Sequence, residues 1–393
     1  MGTYNFDAII DRHHTSCEKW DFMTKKFGRD DLLAMWVADM DFTAPPEVAE
    51  VLKNRVDHGI FGYTGKSDNY FQSIVEWVEK RHKWGIEAEW IRHSPGVVPA
   101  LSMAVLAFTK PGDGIVVQPP VYPPFFSAAS GRGRHIIENP LVERHGRFEM
   151  DFEDLEKKID SSVKMIFLCS PHNPVGRVWT KEELTKLGEI CLRHNLIVVS
   201  DEIHSDIIYK GFHHIPMASL SPEIASRTIT CIAPSKTFNI AGLSTSAVII
   251  PDPQIRDAYT SVLNFLHIDG GNLFGTFALE AAYRKGEPWL HALLEYLEGN
   301  VNFIEKYLTE NLPDIKLVRP EGTYVPFLDC RGLGLSGDEL LDLFVNKARV
   351  AMNNGAWFGT GGEGFMRMNI ATPRALIKEG LDRISRAVAC IEK

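Results

Sequence analysis

The sequence predicts an α/β fold, a mostly parallel central sheet covered by helices and joined to a smaller α+β domain, and three observations carry that prediction. Short uninterrupted apolar runs recur through the middle of the chain, as strands buried on both faces of a parallel sheet do. Helix-like segments lie between these runs, the alternation that strand–helix–strand units require. Beyond about residue 285 the pattern changes to helices with one isolated strand-like stretch.

Taken in order, the first ~40 residues carry little periodicity and are expected to pack against the smaller domain. Val97 to Phe108 has helical spacing, and Lys110-Pro111-Gly112-Asp113-Gly114 then turns the chain into a strand from Ile115 to Gln118. Val163 to Cys169 is an apolar run that ends in the turn Ser170-Pro171-His172-Asn173-Pro174, so it reads as a buried strand. Thr180 and Glu183 form a capping box for the next helix, in which Leu184, Leu187, Ile190 and Cys191 recur at helical spacing. Leu196 to Ser200 is a second strand, followed at once by Asp201-Glu202, and Thr228 to Ile232 is a third, leading into Ala233-Pro234-Ser235-Lys236. Thr245 to Ile250 is a fourth, expected to run antiparallel because its connection is so short. The large domain is thus placed at 45–285. Helices around 287–310 and from about Pro373, with a strand-like Gly322 to Leu328, complete a small domain built from 1–44 and 286–393.

Composition narrows the function. A net charge of −9 offers no basic face for nucleic acid or anionic lipid. The start has no signal-peptide-like apolar stretch, and no segment reaches the ~18 apolar residues of a membrane span, so a cytoplasmic protein is expected. The 6 cysteines are scattered without a C-x-x-C pair, which argues for reduced thiols rather than a zinc knuckle or a redox dithiol. His204, His213 and His214 lack a companion ligand pattern, and no metal site is expected.

In open α/β sheets, ligands bind beyond the carboxyl ends of the parallel strands. Asn173, Asp201 and Lys236 all fall there. A lysine near an aspartate suits pyridoxal phosphate, whose aldehyde needs an amine and whose ring nitrogen needs an acidic partner. The alternative is a structural salt bridge between Asp201 and Lys236. Gly96-Val97-Val98 opens a helix whose backbone N–H groups suit a phosphate. Gly359-Thr360-Gly361-Gly362-Glu363-Gly364 lacks the strand–turn–helix context of a dinucleotide loop and reads as a backbone turn placing Arg367.

Ser170 to Gly176, Asp201-Glu202-Ile203-His204 and Ala233 to Leu243 together resemble the class I/II aminotransferase superfamily of fold type I, a likeness that spans essentially the whole chain. Trp36-Val37-Ala38-Asp39-Met40-Asp41-Phe42 and Gly362 to Ala371 narrow the resemblance to the branch of cystathionine β-lyases called the MalY/PatB group. The resemblance implies that Lys236 holds pyridoxal 5′-phosphate as a Schiff base, that Asp201 pairs with the ring nitrogen, and that Asn173 hydrogen-bonds the ring 3-oxygen. It implies that Tyr122 stacks on the ring, where the alternative is a core tyrosine. Ser235 becomes a candidate phosphate ligand, and Tyr63 matches a tyrosine that reaches the neighbouring subunit's cofactor, which implies a homodimer. Arg367 matches the arginine that grips the substrate α-carboxylate, the alternative being a structural arginine. Trp36 and Asp39 are further candidate substrate contacts, with Tyr63 and Tyr324 behind them.

Two departures from the wider superfamily matter. His204 stands where a tyrosine usually lies near the 3-oxygen. Ser244 stands eight residues after the lysine, where aminotransferases commonly place a phosphate-binding arginine, and that loss resembles the β-lyase branch. The implied reaction is β-elimination from L-cystathionine or another cysteine S-conjugate, giving a thiol, pyruvate and ammonia. A transaminase is the alternative, and an interaction module that senses the cofactor is a more distant one. Methionine biosynthesis, cysteine degradation and thiol salvage are all compatible with these residues.

Overall fold

The computed structural model describes residues 4–131 and 133–391. Its largest element is a seven-stranded sheet made of β1 (Ile91–Ser94), β2 (Gly114–Val117), β3 (His135–Glu138), β4 (Val163–Cys169), β5 (Ile197–Asp201), β6 (Thr228–Ile232) and β7 (Ser246–Ile249). The strands lie in the order β1-β7-β6-β5-β4-β2-β3. Only β7 runs against its neighbours, as its short connection to β6 demands. Every residue of β2, β5 and β6 is buried, which is why each reads as a continuous apolar run.

Two strands escape sequence recognition for the same reason. β1 and β3 are the outermost strands, and Ile91-Arg92-His93-Ser94 and His135-Ile136-Ile137-Glu138 carry polar ends that edges tolerate. Register then does the positioning. Cys169 pairs with Asp201, and Asp201 with Cys231, so β4, β5 and β6 end level and the turns after them lie side by side.

Helices cover the sheet. The helix α1 (Val97–Phe108) packs its buried Ala100, Leu101 and Ala104 among the sheet's own apolar residues. The helix α2 (Lys181–Arg193) carries the expected capping box: Thr180 Oγ1 accepts from Glu183 N at 3.2 Å, and Glu183 Oε2 accepts from Thr180 N at 2.8 Å. The long α3 (Glu287–Asn311) and the final α4 (Arg374–Ala389) flank a small antiparallel sheet of β8 (Lys316–Leu317), β9 (Phe327–Asp329), β10 (Asn353–Asn354) and β11 (Phe365–Arg367). The strand expected from Gly322 to Leu328 shrinks to Phe327–Asp329. Thr323 takes a left-handed φ of 70°, which interrupts an extended run, and Pro326 has no N–H to give to a ladder.

In the N-terminal segment, Leu33–Ala34 pairs in parallel with Val350–Ala351. Met23, Leu32, Ala34, Trp36, Val345 and Ala351 close a small apolar cluster there. The glycine-rich stretch before β11 is a backbone turn. Gly359, Gly361 and Gly364 have φ of 90°, 86° and 80°, which residues with a Cβ rarely adopt.

Candidate active site

Beyond the level ends of β4, β5 and β6 lies a cavity of about 220 Å³. Lys236 enters it from a short helix, Pro234–Thr237, that begins two residues after β6. Its Nζ donates to the carbonyl oxygen of Ala38 at 2.6 Å. Burial lowers the amine to about 8; Asp39 and Asp201 draw it back up, and Arg367 pushes it further down. Asp201, 4% exposed, is raised to about 7 by burial and by neighbouring Glu202, while the Ile203 N–H on its Oδ1 at 3.1 Å and the charge of Lys236 oppose the rise. Glu202 points away from the cavity, its carboxylate held by Ser200 Oγ and His214 Nε2, each at 2.8 Å, and by Met217 N.

Asn173, on the turn after β4, accepts from Arg367 Nη1 at 3.1 Å. Arg367 ends β11 and is 5% exposed. Its Nη2 donates to the Trp36 carbonyl oxygen at 2.9 Å and to Asn353 Oδ1 at 2.8 Å. No carboxylate among the described residues pairs with it, and its Nε is buried without a partner. Burial lowers the guanidinium to about 10. A buried cation satisfied only by neutral oxygens, beside a cavity, is prepared for an anion.

Across the cavity, Gly96 precedes α1 and supplies no side-chain cap. The N–H groups of Val97 and Val98 have no acceptor among the described residues. Such a helix start attracts a phosphate through both its free donors and its dipole. Tyr122, Ile203, Ser235 and His204 complete the walls. His204 is buried against the Tyr324 ring at 5.8 Å, and burial lowers it to about 3, so its imidazole is neutral.

The candidates therefore divide. Lys236, Asp201, Asn173, Tyr122, Gly96, Val97, Val98, Ser235 and His204 surround one cavity. Arg367 and Trp36 line a second one, which shares Tyr122 with the first. Asp39, Tyr63 and Tyr324 line neither. Asp39 holds Arg12 through two hydrogen bonds of 3.1 and 2.7 Å, and its charge acts on Lys236. Tyr324 donates to the same Ala38 carbonyl oxygen at 3.0 Å. Tyr63 is fully exposed and lies outside the cavity wall.

Sequence reasoning missed the group that holds residues 36–41 in place. Lys19, 0% exposed, pairs with Asp41 at 2.6 Å; Arg12 reaches Asp41 at 2.7 Å, and the Trp20 indole N–H donates to Asp41 at 3.0 Å. Asn239, just past Lys236, adds hydrogen bonds to Met40 and Phe42. Among these, Asp41 and Asn239 lie within quoted motifs, while Lys19, Arg12 and Trp20 do not.

An α/β sheet with amine, carboxyl and amide groups gathered at its strand ends, and a small antiparallel domain beside it, is the fold type I architecture. A family model described as aminotransferase class I and II matches residues 31–384. Cystathionine beta-lyase PatB of Bacillus subtilis is 50% identical over 386 residues, covering 98% of this chain and 100% of that protein. Protein MalY of Escherichia coli is 32% identical over 391 residues, covering 99% of this chain and 100% of that protein. Among solved structures, cystalysin from Treponema denticola, which contains a pyridoxal 5′-phosphate cofactor, superposes with a TM-score of 0.96 at 39% identity, covering 99% of this chain and 100% of its own. The chain belongs to the class I and II aminotransferase family.

Proposed function

We propose that this protein is a pyridoxal-5′-phosphate-dependent C–S β-lyase that cleaves L-cystathionine or related cysteine S-conjugates to a thiol, pyruvate and ammonia. The observation that carries the reading is that a half-buried amine, Lys236, and a buried carboxyl group, Asp201, line one cavity flanked by a guanidinium that lacks a carboxylate. The cavity suits the cofactor at each end: free Val97 and Val98 N–H groups for its phosphate, and Asp201, costly to ionise alone, for a protonated ring nitrogen. Tyr122 and Ile203 provide walls for the ring, and Asn173 a donor for its oxygen.

When bound, the cofactor supplies a carbonyl carbon for the substrate amine and an electron-accepting ring that stabilises negative charge at the substrate α carbon. Lys236 Nζ would hold the cofactor, yield its place to the substrate amine, and then take the α proton as a general base. A value near 8, against an ordinary 10.5, makes the neutral amine a far more accessible base near neutral pH, as that task requires. Arg367 would bind the α-carboxylate through its fork of donors, fixing the Cα–H bond for Lys236. The electron pair left at Cα expels the β sulfur as a thiolate, and water added afterwards releases ammonia and pyruvate. Ser244 in place of a phosphate-binding arginine, and 50% identity to a cystathionine beta-lyase, favour elimination over transamination.

A homodimer completes the reading. Ile60, Phe61, Tyr63, Phe265 and Leu266 are large, apolar and exposed on one chain, a patch of the kind a partner subunit covers. Tyr63 would then enter the partner's cavity. Residence in the cytoplasm is consistent with the free cysteines and with the lack of any described helix long and apolar enough to cross a membrane.

Cofactor-loaded protein given L-cystathionine without a keto acid should release thiol and pyruvate in equal amounts. Glutamate from L-alanine plus 2-oxoglutarate, without thiol release, would make the protein a transaminase instead.

A further inference from the structure

The residue that follows Lys236 is fixed to a buried carboxylate, Asp206, that lines neither cavity. Thr237 is buried, and its Oγ1 donates to Asp206 Oδ2 at 2.9 Å. Asp206, 3% exposed, also accepts from the Trp77 indole N–H at 3.2 Å, and its Oδ1 lies 3.3 Å from His82 Nε2 and 3.6 Å from Arg81 Nε. Burial works to raise its carboxyl, but His82, Arg81 and Thr237 outweigh burial and hold it below its ordinary value, so it is ionised. Trp77, Arg81 and His82 all stand on one helix, Asp68–His82. A buried charge is a costly way to hold a threonine, whose hydroxyl any neutral acceptor could satisfy. What the charge adds is a stronger bond of fixed direction.

Lys236 needs such a hold, because it stands on a helix of 4 residues, Pro234–Thr237, too short to be stable through its own hydrogen bonds. The segment of Asp206 also reaches the tip of the Lys236 side chain, by a second route. The Ile207 carbonyl oxygen accepts from Thr323 N at 2.8 Å, and the Tyr209 hydroxyl donates to the Thr323 carbonyl oxygen at 2.8 Å. Tyr324, the next residue, donates to the Ala38 carbonyl oxygen that also receives Lys236 Nζ. Root and tip of one side chain are thus tied to a single segment, 206–209.

We propose that Asp206 is a positioning residue for Lys236: through the Thr237 hydroxyl it fixes the backbone of the lysine, and with it the line along which the amine approaches the cofactor and the substrate α proton. The inference rests on the proposed reading of Lys236 as cofactor anchor and base.

The test is Thr237→Val, which keeps the branched shape and removes the hydroxyl, beside Thr237→Ser, which returns it. Two readouts are taken: the rate at which cofactor-free protein captures pyridoxal phosphate, followed by the absorbance of the bound cofactor, and kcat with KM for L-cystathionine. Thr237→Val should slow capture and lower kcat about tenfold or more, with KM within about twofold, since the contacts of the substrate itself are untouched. Thr237→Ala carries the same prediction if the valine variant does not fold. Thr237→Ser should bring both readouts back to within about threefold of the parent. Thr180→Ala, which loses a helix cap away from the site, gives the comparison for stability alone: its thermal midpoint should fall with capture and kcat unaltered. Capture and kcat within about twofold of the parent when the hydroxyl is gone, or a loss that Thr237→Ser does not restore, overturns the positioning role and leaves the lyase reading standing. A parent protein that captures the cofactor and releases no thiol from L-cystathionine defeats the lyase reading itself, and this inference with it.

Discussion

The two walls of the candidate site are held by opposite means. Asn173, Asp201 and Lys236 are placed by the sheet: three level strand ends, each buried, each followed by a turn of fixed geometry. The facing wall, residues 36–41, has almost no regular structure and is held by charge, with Lys19, Arg12 and Trp20 converging on Asp41 and Asn239 tying down Met40 and Phe42. The two meet at one hydrogen bond, from Lys236 to the Ala38 carbonyl oxygen. A sheet supplies rigid positions whose residue types chemistry can choose. An ion-paired segment supplies a wall whose position depends on charge as well as on the apolar anchors Trp36 and Met40.

Variants on the two walls should therefore fail in different ways. The largest effect belongs to the sheet wall: Lys236→Ala should cut pyruvate formation by at least ~10³-fold while the protein remains folded, since both the covalent anchor and the base are lost. Asp201→Asn should lower kcat by about 10²-fold. It should also raise the thermal midpoint of the cofactor-free protein at pH 8. Asp201 titrates at about 7 in the folded state, above its ordinary 3.8, so its contribution to stability is full below 3.8 and is lost as pH rises through 7. At pH 8 a buried carboxylate remains, and the amide removes a cost of about 1–3 kcal/mol. A midpoint that falls at pH 8 would contradict the isolation of Asp201.

The charge-held wall should fail through stability and KM. Lys19→Ala leaves Asp41 buried with one cation fewer, at a cost of about 2 kcal/mol by thermal or denaturant unfolding, and should raise KM more than it lowers kcat. Equal losses in kcat and kcat/KM would mean that this segment acts on the transition state directly. The smallest effect lies away from both walls. Thr180→Ala removes the cap of α2 and should cost about 1 kcal/mol with turnover unaltered.

How well each wall could be read in the sequence follows from how it is held. Val163 to Cys169 and Thr228 to Ile232 are buried apart from Lys164 and mostly apolar because both sheet faces are covered, so their ends, and Asn173, Asp201 and Lys236 beyond them, were legible. Family motifs located Tyr122 and Arg367 as well. Lys19 and Asp41 are 22 residues apart and carry no periodic signal, so their pairing exists only in three dimensions. The Ala38 contact runs through a backbone oxygen, which no residue type announces. Asp39 was read as a substrate contact because it lies in a motif beside the cleft, and its carboxylate also holds Arg12. The strand predicted at Gly322 to Leu328 was shortened to Phe327–Asp329, with the left-handed Thr323 interrupting the run before it.

The central claim is that Lys236, at the end of a parallel strand, holds the cofactor. Loading the protein with pyridoxal phosphate, reducing it with borohydride and mapping the proteolytic peptides by mass tests this directly. The account predicts a single phosphopyridoxyl group, on the peptide containing Lys236. A label on another lysine, or none after a loading that restores activity, would contradict it.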